Sequence, residues 1–158
     1  MQQDNLLKHF LFPGTLFVQN REHLVTTVLG SCVAVCLWDA STGTGGINHY
    51  MLPLWNGEGL PTPKYGTIAI EKLLEKMFSL GCRQESLVAK VFGGANVMEN
   101  MQGMYSIGDR NVQLARELLA EMGIPIAGAD TGGRLGRKLI FNTHTGVVLV
   151  GKCQGSTR

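Results

Sequence analysis

The local context of Cys32 marks it as the side chain in this 158-residue sequence most suited to react. It follows Leu29-Gly30-Ser31 and precedes Val33, so a glycine and a small hydroxyl residue stand before it at the junction of two predicted strands. A nucleophile needs its sulfur exposed at the end of a rigid element, with backbone N–H groups free to hold an oxyanion. A glycine-opened junction supplies that geometry, and the N–H groups around Ser31 and Val33 are the candidates. The competing role for Cys32 is that of a small buried core residue, the commoner one on composition alone. His49 lies 17 residues further on, beyond a polar turn, and a hairpin through that turn returns it beside Cys32. Thiolate–imidazolium pairing would lower the cysteine pKa and ready the histidine to protonate a leaving amine. Against this stands a structural histidine bonded to a backbone carbonyl. A third group usually orients the histidine, and Asp39, Asn48, Thr26 and Thr27 are the nearby candidates, which spacing alone does not separate.

The elements that must position these residues follow from pattern. A short strand is predicted near 15–18 and another over 23–29, ending at Gly30-Ser31. A third covers 33–38, rich in β-branched residues. A polar turn over 39–46 then leads into 47–52, which stops at Pro53. Residues 54–63 carry two glycines and two prolines and read as an exposed loop. Ile70, Leu73, Leu74 and Met77 form a helical stripe within 64–80, with Gly81 placed to end it. Residues 87–92 make a strand running into Gly93-Gly94. A second helix is expected over 109–122, with Val112, Ala115, Leu119 and Met122 on one face, Asp109 as N-cap and Gly123 as stop. Strands at 124–129, 138–142 and 147–152 follow, the last two joined through His144-Thr145-Gly146. The order gives one α+β domain over 1–158, a layered sheet with helices outside, with 1–14 a loose N-terminal segment.

Composition removes several function classes. A formal charge of +2, from 14 basic and 12 acidic residues, provides no basic stripe for nucleic acid. No apolar run is long enough to span a bilayer, and the N-terminus lacks the regions of a signal peptide, so a soluble cytoplasmic protein is expected. Of the four cysteines, Cys32 and Cys36 make one loose pair, but Cys82, Cys153 and the histidines supply no second to complete a metal site, and all four read as reduced thiols. Cys36 shares a strand face with Cys32 and is expected in the core. The glycine runs at 43–46 and 132–137 lack the G-K-[ST] continuation of a phosphate loop and read as turns. Ser31 fails the G-x-S-x-G elbow because position 33 is valine. Met98, Met101 and Met104 suggest loop packing or a contact surface.

The stretch Thr26-Thr27-Val28-Leu29-Gly30-Ser31-Cys32-Val33-Ala34-Val35, followed by Gly45-Gly46-Ile47-Asn48-His49-Tyr50-Met51-Leu52-Pro53, resembles the CheD family of chemoreceptor glutamine deamidases. Lys64-Tyr65, Phe92-Gly93-Gly94-Ala95, Ile107-Gly108-Asp109-Arg110-Asn111 and Asp130-Thr131-Gly132-Gly133 continue the match in the family's order. The resemblance implies a protein-glutamine deamidase with Cys32 as nucleophile and His49 as general base. The third residue, a threonine six positions before the cysteine, falls on Thr26, with Thr27 its neighbour and rival. It also implies a layered α/β/α-type sandwich related to the catalytic domain of Rho-deamidating toxins, and no cofactor or metal. The substrates implied are methyl-accepting chemoreceptor cytoplasmic domains. A CheC-type phosphatase is the implied further partner, and a non-catalytic module regulating that phosphatase is the alternative function.

Overall fold

Nine strands, two α-helices and one short 3-10 helix (Gln84–Ser86) lie within residues 6–96 and 106–153, the portion that this computed structural model describes. Met98, Met101 and Met104 lie outside the described residues. The strand β3 (His23–Leu29) shows how local sequence sets a face. Val25, Thr27 and Leu29 are buried, whereas Thr26 and Val28 point the other way and are at least partly exposed. That period of two is what a strand covered on one side requires. β4 (Val33–Asp39) has no such alternation and is buried almost throughout, so its sequence is apolar without a break from Val33 to Trp38.

The remaining strands are β1 (Leu7–Phe10), β2 (Leu16–Gln19), β5 (Thr44–Asn48), β6 (Leu87–Gly93), β7 (Ile126–Thr131), β8 (Arg137–Asn142) and β9 (Val148–Lys152). One sheet has the order β1-β3-β8-β9, the other β2-β5-β4-β6-β7. Only the β1–β3 and β6–β7 pairs are parallel. The helices α1 (Gly66–Ser79) and α2 (Ile107–Glu121) pack on the five-stranded sheet. Ile70, Leu73 and Met77 of α1 and Leu114, Ala115 and Leu119 of α2 meet Val33, Val35, Leu37, Ala89 and Val91 there. The opposite face presents Ala34, Cys36, Ile47 and Phe92 to Val25, Leu29, Leu139 and Phe141 of the second sheet.

The α+β class, the layered build and the mostly antiparallel pairing match the expectation. The layer order differs: it runs helices, five-stranded sheet, four-stranded sheet, with both helices on one side. The strands with a single apolar face, β3 and β8, need a cover, and they find it on the far face of the central sheet. The N-terminal segment is not loose from Leu7 onward. Leu7–Phe10 pair in parallel with His23–Thr26, and Leu11 is fully buried.

Two boundaries shift for packing reasons. The turn after β4 is shorter than expected, because β5 resumes at Thr44 and ends at Asn48. Gly45 and Gly46 are therefore strand residues: a Cβ on Gly46 would lie 2.8 Å from Leu73 Cδ1 and from Val18 Cγ2. Glycine in a strand marks such close approach as readily as it marks a turn. At α2 the cap is Ser106, whose hydroxyl accepts from the Asp109 N–H at 3.1 Å, and Asp109 is a first-turn residue rather than the cap. Gly81, at φ 94°, ends α1 as expected.

Candidate active site

Val33, the first residue of β4, and Tyr50, two beyond β5, exchange both backbone hydrogen bonds, at 3.1 and 2.9 Å. That pair fixes the register on either side. Val33 and Tyr50 face the helices, so Cys32 and His49 both face the second sheet. They are diagonal neighbours across two antiparallel segments, a relation that brings Cβ atoms to within about 7–8 Å and leaves longer side chains in reach. The hairpin thus brings the two candidate residues together. The sulfur end is half-buried, and the imidazole is 2% exposed.

The imidazole is held from β3. Thr27 Oγ1 lies 2.7 Å from His49 Nδ1 and 2.8 Å from the carbonyl oxygen of Leu11. A hydroxyl has one hydrogen, and a carbonyl can only accept, so Thr27 donates to Leu11 and accepts from His49. Nδ1 therefore carries the ring hydrogen, and Nε2 keeps its lone pair. This is the tautomer a general base needs. Thr26, one residue away, points to the other face of β3 and does not meet the histidine. The resemblance put the third residue at Thr26, but it is Thr27 that stands against His49, because a step of one along a strand reverses the side chain.

The other expected orienters are engaged elsewhere. Asn48 Oδ1 accepts the Val35 N–H at 2.8 Å, and Asp39 holds the turn at Ser41 by bonds of 2.9 and 2.6 Å. Cys36 is fully buried in the inter-sheet core, where burial drives its thiol pKa far upward, as expected of a structural cysteine. His144 is exposed in the β8–β9 turn.

Electrostatics set the resting protonation. Burial pushes the His49 pKa down to about 4, and no charged side chain contributes. Burial likewise raises the Cys32 thiol, opposed in part by its own backbone N–H. The resting pair is thus neutral thiol and neutral imidazole, not the ion pair expected from spacing.

Three consecutive carbonyls around Cys32 are fixed by donors from other elements. Ala95 N–H donates to Gly30 (2.9 Å), Asn111 Nδ2 to Ser31 (3.0 Å) and Gly94 N–H to Cys32 (2.8 Å). Gly93 sits at φ 109°, and a Cβ there would collide with the Cys32 carbonyl oxygen, so no other residue suits this crossing. Arg137, 2% exposed, ties this loop to the next by donating to the carbonyls of Gly93 and Gly132, each at 2.7 Å. Asp130 lies 3.4 Å from the same guanidinium. Through Arg137 the segment 130–137 braces the Gly93 loop that crosses Cys32.

The N–H of Val33 is committed to Tyr50, which removes it from the expected oxyanion donors. The N–H groups of Ser31 and Cys32 donate to no backbone carbonyl among the described residues, and that of Cys32 lies against its own sulfur. Sequence reasoning missed the Leu11 carbonyl, Asn111 and Arg137. A carbonyl leaves no side-chain signature. Asn111 did leave one: it stands on the buried stripe of α2 with Gly108, Leu114 and Ala115, a polar residue where an apolar one belongs. A separate pocket of about 200 Å³, lined by Pro53, Leu54, Arg110, Gln113, Leu114 and Glu117, contains neither Cys32 nor His49.

The family model described as CheD chemotactic sensory transduction matches residues 51–152. Similarity to individual proteins extends further. A protein of Trichlorobacter lovleyi named "Probable chemoreceptor glutamine deamidase CheD" is 59% identical over 145 residues, 92% of this chain and 90% of that one. One of the same name from Sulfurimonas denitrificans is 46% identical, covering 90% of this chain and 92% of its own. Another from Anaeromyxobacter dehalogenans, "Probable chemoreceptor glutamine deamidase CheD 1", is 46% identical over 89% of this chain and 82% of its own. Among solved structures, Neisseria meningitidis protein NMB0706 (DUF152) superposes with a TM-score of 0.45 at 12% identity, over 84% of this chain and 64% of that one. That likeness is too distant to bear on the site. The chain belongs to the CheD family.

Proposed function

With membership of the CheD family as premise, we propose that this chain is a chemoreceptor glutamine deamidase that works through a Cys32 thioester. The observation that carries the reading is the fixed tautomer of His49, held by Thr27 so that Nε2 is unprotonated on the face shared with Cys32. The relatives' names, chemoreceptor glutamine deamidases, support glutamine side chains of chemoreceptors as the substrate, and on this reading the protein acts on the receptors' cytoplasmic domains.

The chemistry starts from the neutral pair. His49 Nε2 takes the thiol proton as the Cys32 sulfur attacks the carboxamide carbon. The carbonyl electrons move onto oxygen, which the N–H groups of Ser31 and Cys32 receive. On collapse, the imidazolium returns its proton to nitrogen and ammonia leaves, with a thioester remaining. Water, deprotonated by the same Nε2, attacks the thioester and releases glutamate and free thiol. No step calls for a cofactor. The low pKa that burial gives His49 suits this cycle, because the imidazole is unprotonated at neutral pH before each attack.

Incubation with a chemoreceptor cytoplasmic fragment, following ammonia release and intact mass, tests the proposal. Wild type is expected to release ammonia with a matching amide-to-acid mass change, and Cys32→Ala to do neither. Activity that survives in Cys32→Ala overturns the assignment. Inactive wild type on several receptors, with a Cys32 that resists alkylation, would favour the non-catalytic module docked on a CheC-type phosphatase.

A further inference from the structure

Asn111 does more than fill α2. Its amide Nδ2 donates to the carbonyl of Ser31 at 3.0 Å and to that of Met51 at 3.1 Å. Its own backbone carbonyl accepts the Tyr50 hydroxyl at 2.5 Å. Ser31 directly precedes Cys32, and Tyr50 and Met51 directly follow His49, so one fully buried residue grips both segments of the site. The amide cannot be turned round, because Oδ1 would then face two carbonyl oxygens. In the observed orientation Oδ1 is buried with no hydrogen-bond partner among the described residues. Leaving a buried acceptor unmet costs free energy. A purely structural position could be filled more cheaply by an apolar residue on this stripe.

Peptide geometry says what the grip achieves. In a trans peptide the carbonyl of one residue and the N–H of the next point in opposite directions. Fixing the Ser31 carbonyl toward α2 therefore fixes the Cys32 N–H away from α2. There it lies against the Cys32 sulfur and has no backbone acceptor among the described residues. The neighbouring peptides are fixed by backbone donors, Ala95 to Gly30 and Gly94 to Cys32. The peptide between Ser31 and Cys32 depends on a side chain. The base of α2 is seated to deliver it: a Cβ on Gly108 would lie 2.5 Å from the Gly94 carbonyl oxygen and 2.6 Å from that of Ala95.

We infer that Asn111 is a positioning residue: by holding the Ser31 carbonyl it aims the Cys32 N–H at the oxyanion that forms when the thiol adds to a carbonyl carbon. The inference rests on the deamidase reading for its substrate, but the geometry it concerns can be probed without that substrate.

The experiment separates two reactions of the same sulfur. Alkylation by iodoacetamide displaces iodide at a saturated carbon and builds no oxyanion. Addition to a peptide aldehyde, with an aldehyde in place of the glutamine carboxamide, forms a C–S bond and moves the thiol proton to the former carbonyl oxygen. That product occupies the oxyanion position. Asn111→Ala is expected to weaken aldehyde binding and lower the deamidation kcat by about 10- to 100-fold, with KM little changed. Its iodoacetamide rate at Cys32 is expected to stay within about twofold of wild type. Asn111→Ser, which keeps a short donor, serves if the alanine variant does not fold, and is expected to show the same split more mildly. A parallel fall in both reactions overturns the inference and leaves Asn111 a structural residue. Unchanged aldehyde affinity overturns it too. If wild type fails to deamidate receptor fragments, the proposed function falls, while the ratio of aldehyde affinity to alkylation rate still decides the role of Asn111.

Discussion

Exchanging the hydroxyl of Thr27 for a methyl group, as in Thr27→Val, isolates what that hydroxyl does, because shape and β-branching are retained. Two hydrogen bonds disappear, to Leu11 at 2.8 Å and to His49 at 2.7 Å. The Leu11 carbonyl is left buried without this donor, a loss of about 2 kcal/mol, which lowers Tm by about 4–8 °C in a chain of this size. The catalytic loss has a different origin. When Nε2 takes the thiol proton, the ring becomes an imidazolium, and the bond from Nδ1–H to Thr27 becomes charge-assisted. Such bonds are worth about 1.5–3 kcal/mol, so kcat should fall by about 10- to 100-fold. Thr26→Val is the internal control. It removes a hydroxyl from the opposite face of β3 and should change stability by no more than about 0.5 kcal/mol and kcat by no more than about twofold. The assay is initial-rate ammonia release from a chemoreceptor fragment, with thermal melts on the same preparations. A larger loss in Thr26→Val than in Thr27→Val would refute the face assignment, and with it the argument that fixes the His49 tautomer.

The depressed His49 pKa predicts acid sensitivity. The unfolded chain binds a proton near pH 6.5 and the folded chain only near pH 4, so stability is full above 6.5 and falls as pH drops toward 4. Urea unfolding should show a loss of about 2–3 kcal/mol from this group between pH 7 and pH 4.5, and His49→Gln should flatten the profile by that amount. An equal slope in the variant would sink the attribution to His49. Gly93→Ala places a Cβ against the Cys32 carbonyl at a φ of 109°, and should destabilise the protein by about 2–4 kcal/mol. Because that carbonyl is displaced, iodoacetamide alkylation of Cys32 should change in rate as well. A variant with wild-type melting and wild-type alkylation would show that the crossing tolerates a side chain.

Much of this architecture could be read from residue order. β3, β4, α1 and the β8–β9 hairpin lie close to where periodicity puts them, because one-faced strands, buried strands and amphipathic helices carry distinct patterns. Cys32 and His49 were legible for a similar reason: a cysteine after Gly-Ser at a strand junction and a histidine beyond a hairpin turn imply proximity before any coordinates exist. β1 was not legible. Its four residues pair in parallel with a strand that follows it in the chain, and no local pattern encodes that partner. Gly45 and Gly46 misled in the other direction, since glycine signals a turn and a tight packing contact with the same letter.

Residue order alone specified the mixed class and the family, and it put Cys32 and His49 forward as the candidate pair. It left Thr26 and Thr27 side by side as orienters, because composition and spacing treat adjacent threonines alike. Tertiary structure chose between them through the face of β3 that turns to the central sheet, and it made Leu11, far from any motif, the acceptor that fixes the histidine tautomer. It also removed the Val33 N–H from the oxyanion donors by pairing it with Tyr50, and it brought Asn111 from 79 positions beyond Cys32 to hold the carbonyl beside it. The physical reason is common to all of these. Which residues can react is written in side-chain chemistry, but the direction of a hydroxyl, a ring hydrogen or a peptide N–H is decided by donors and acceptors that only the packed sheets bring into range.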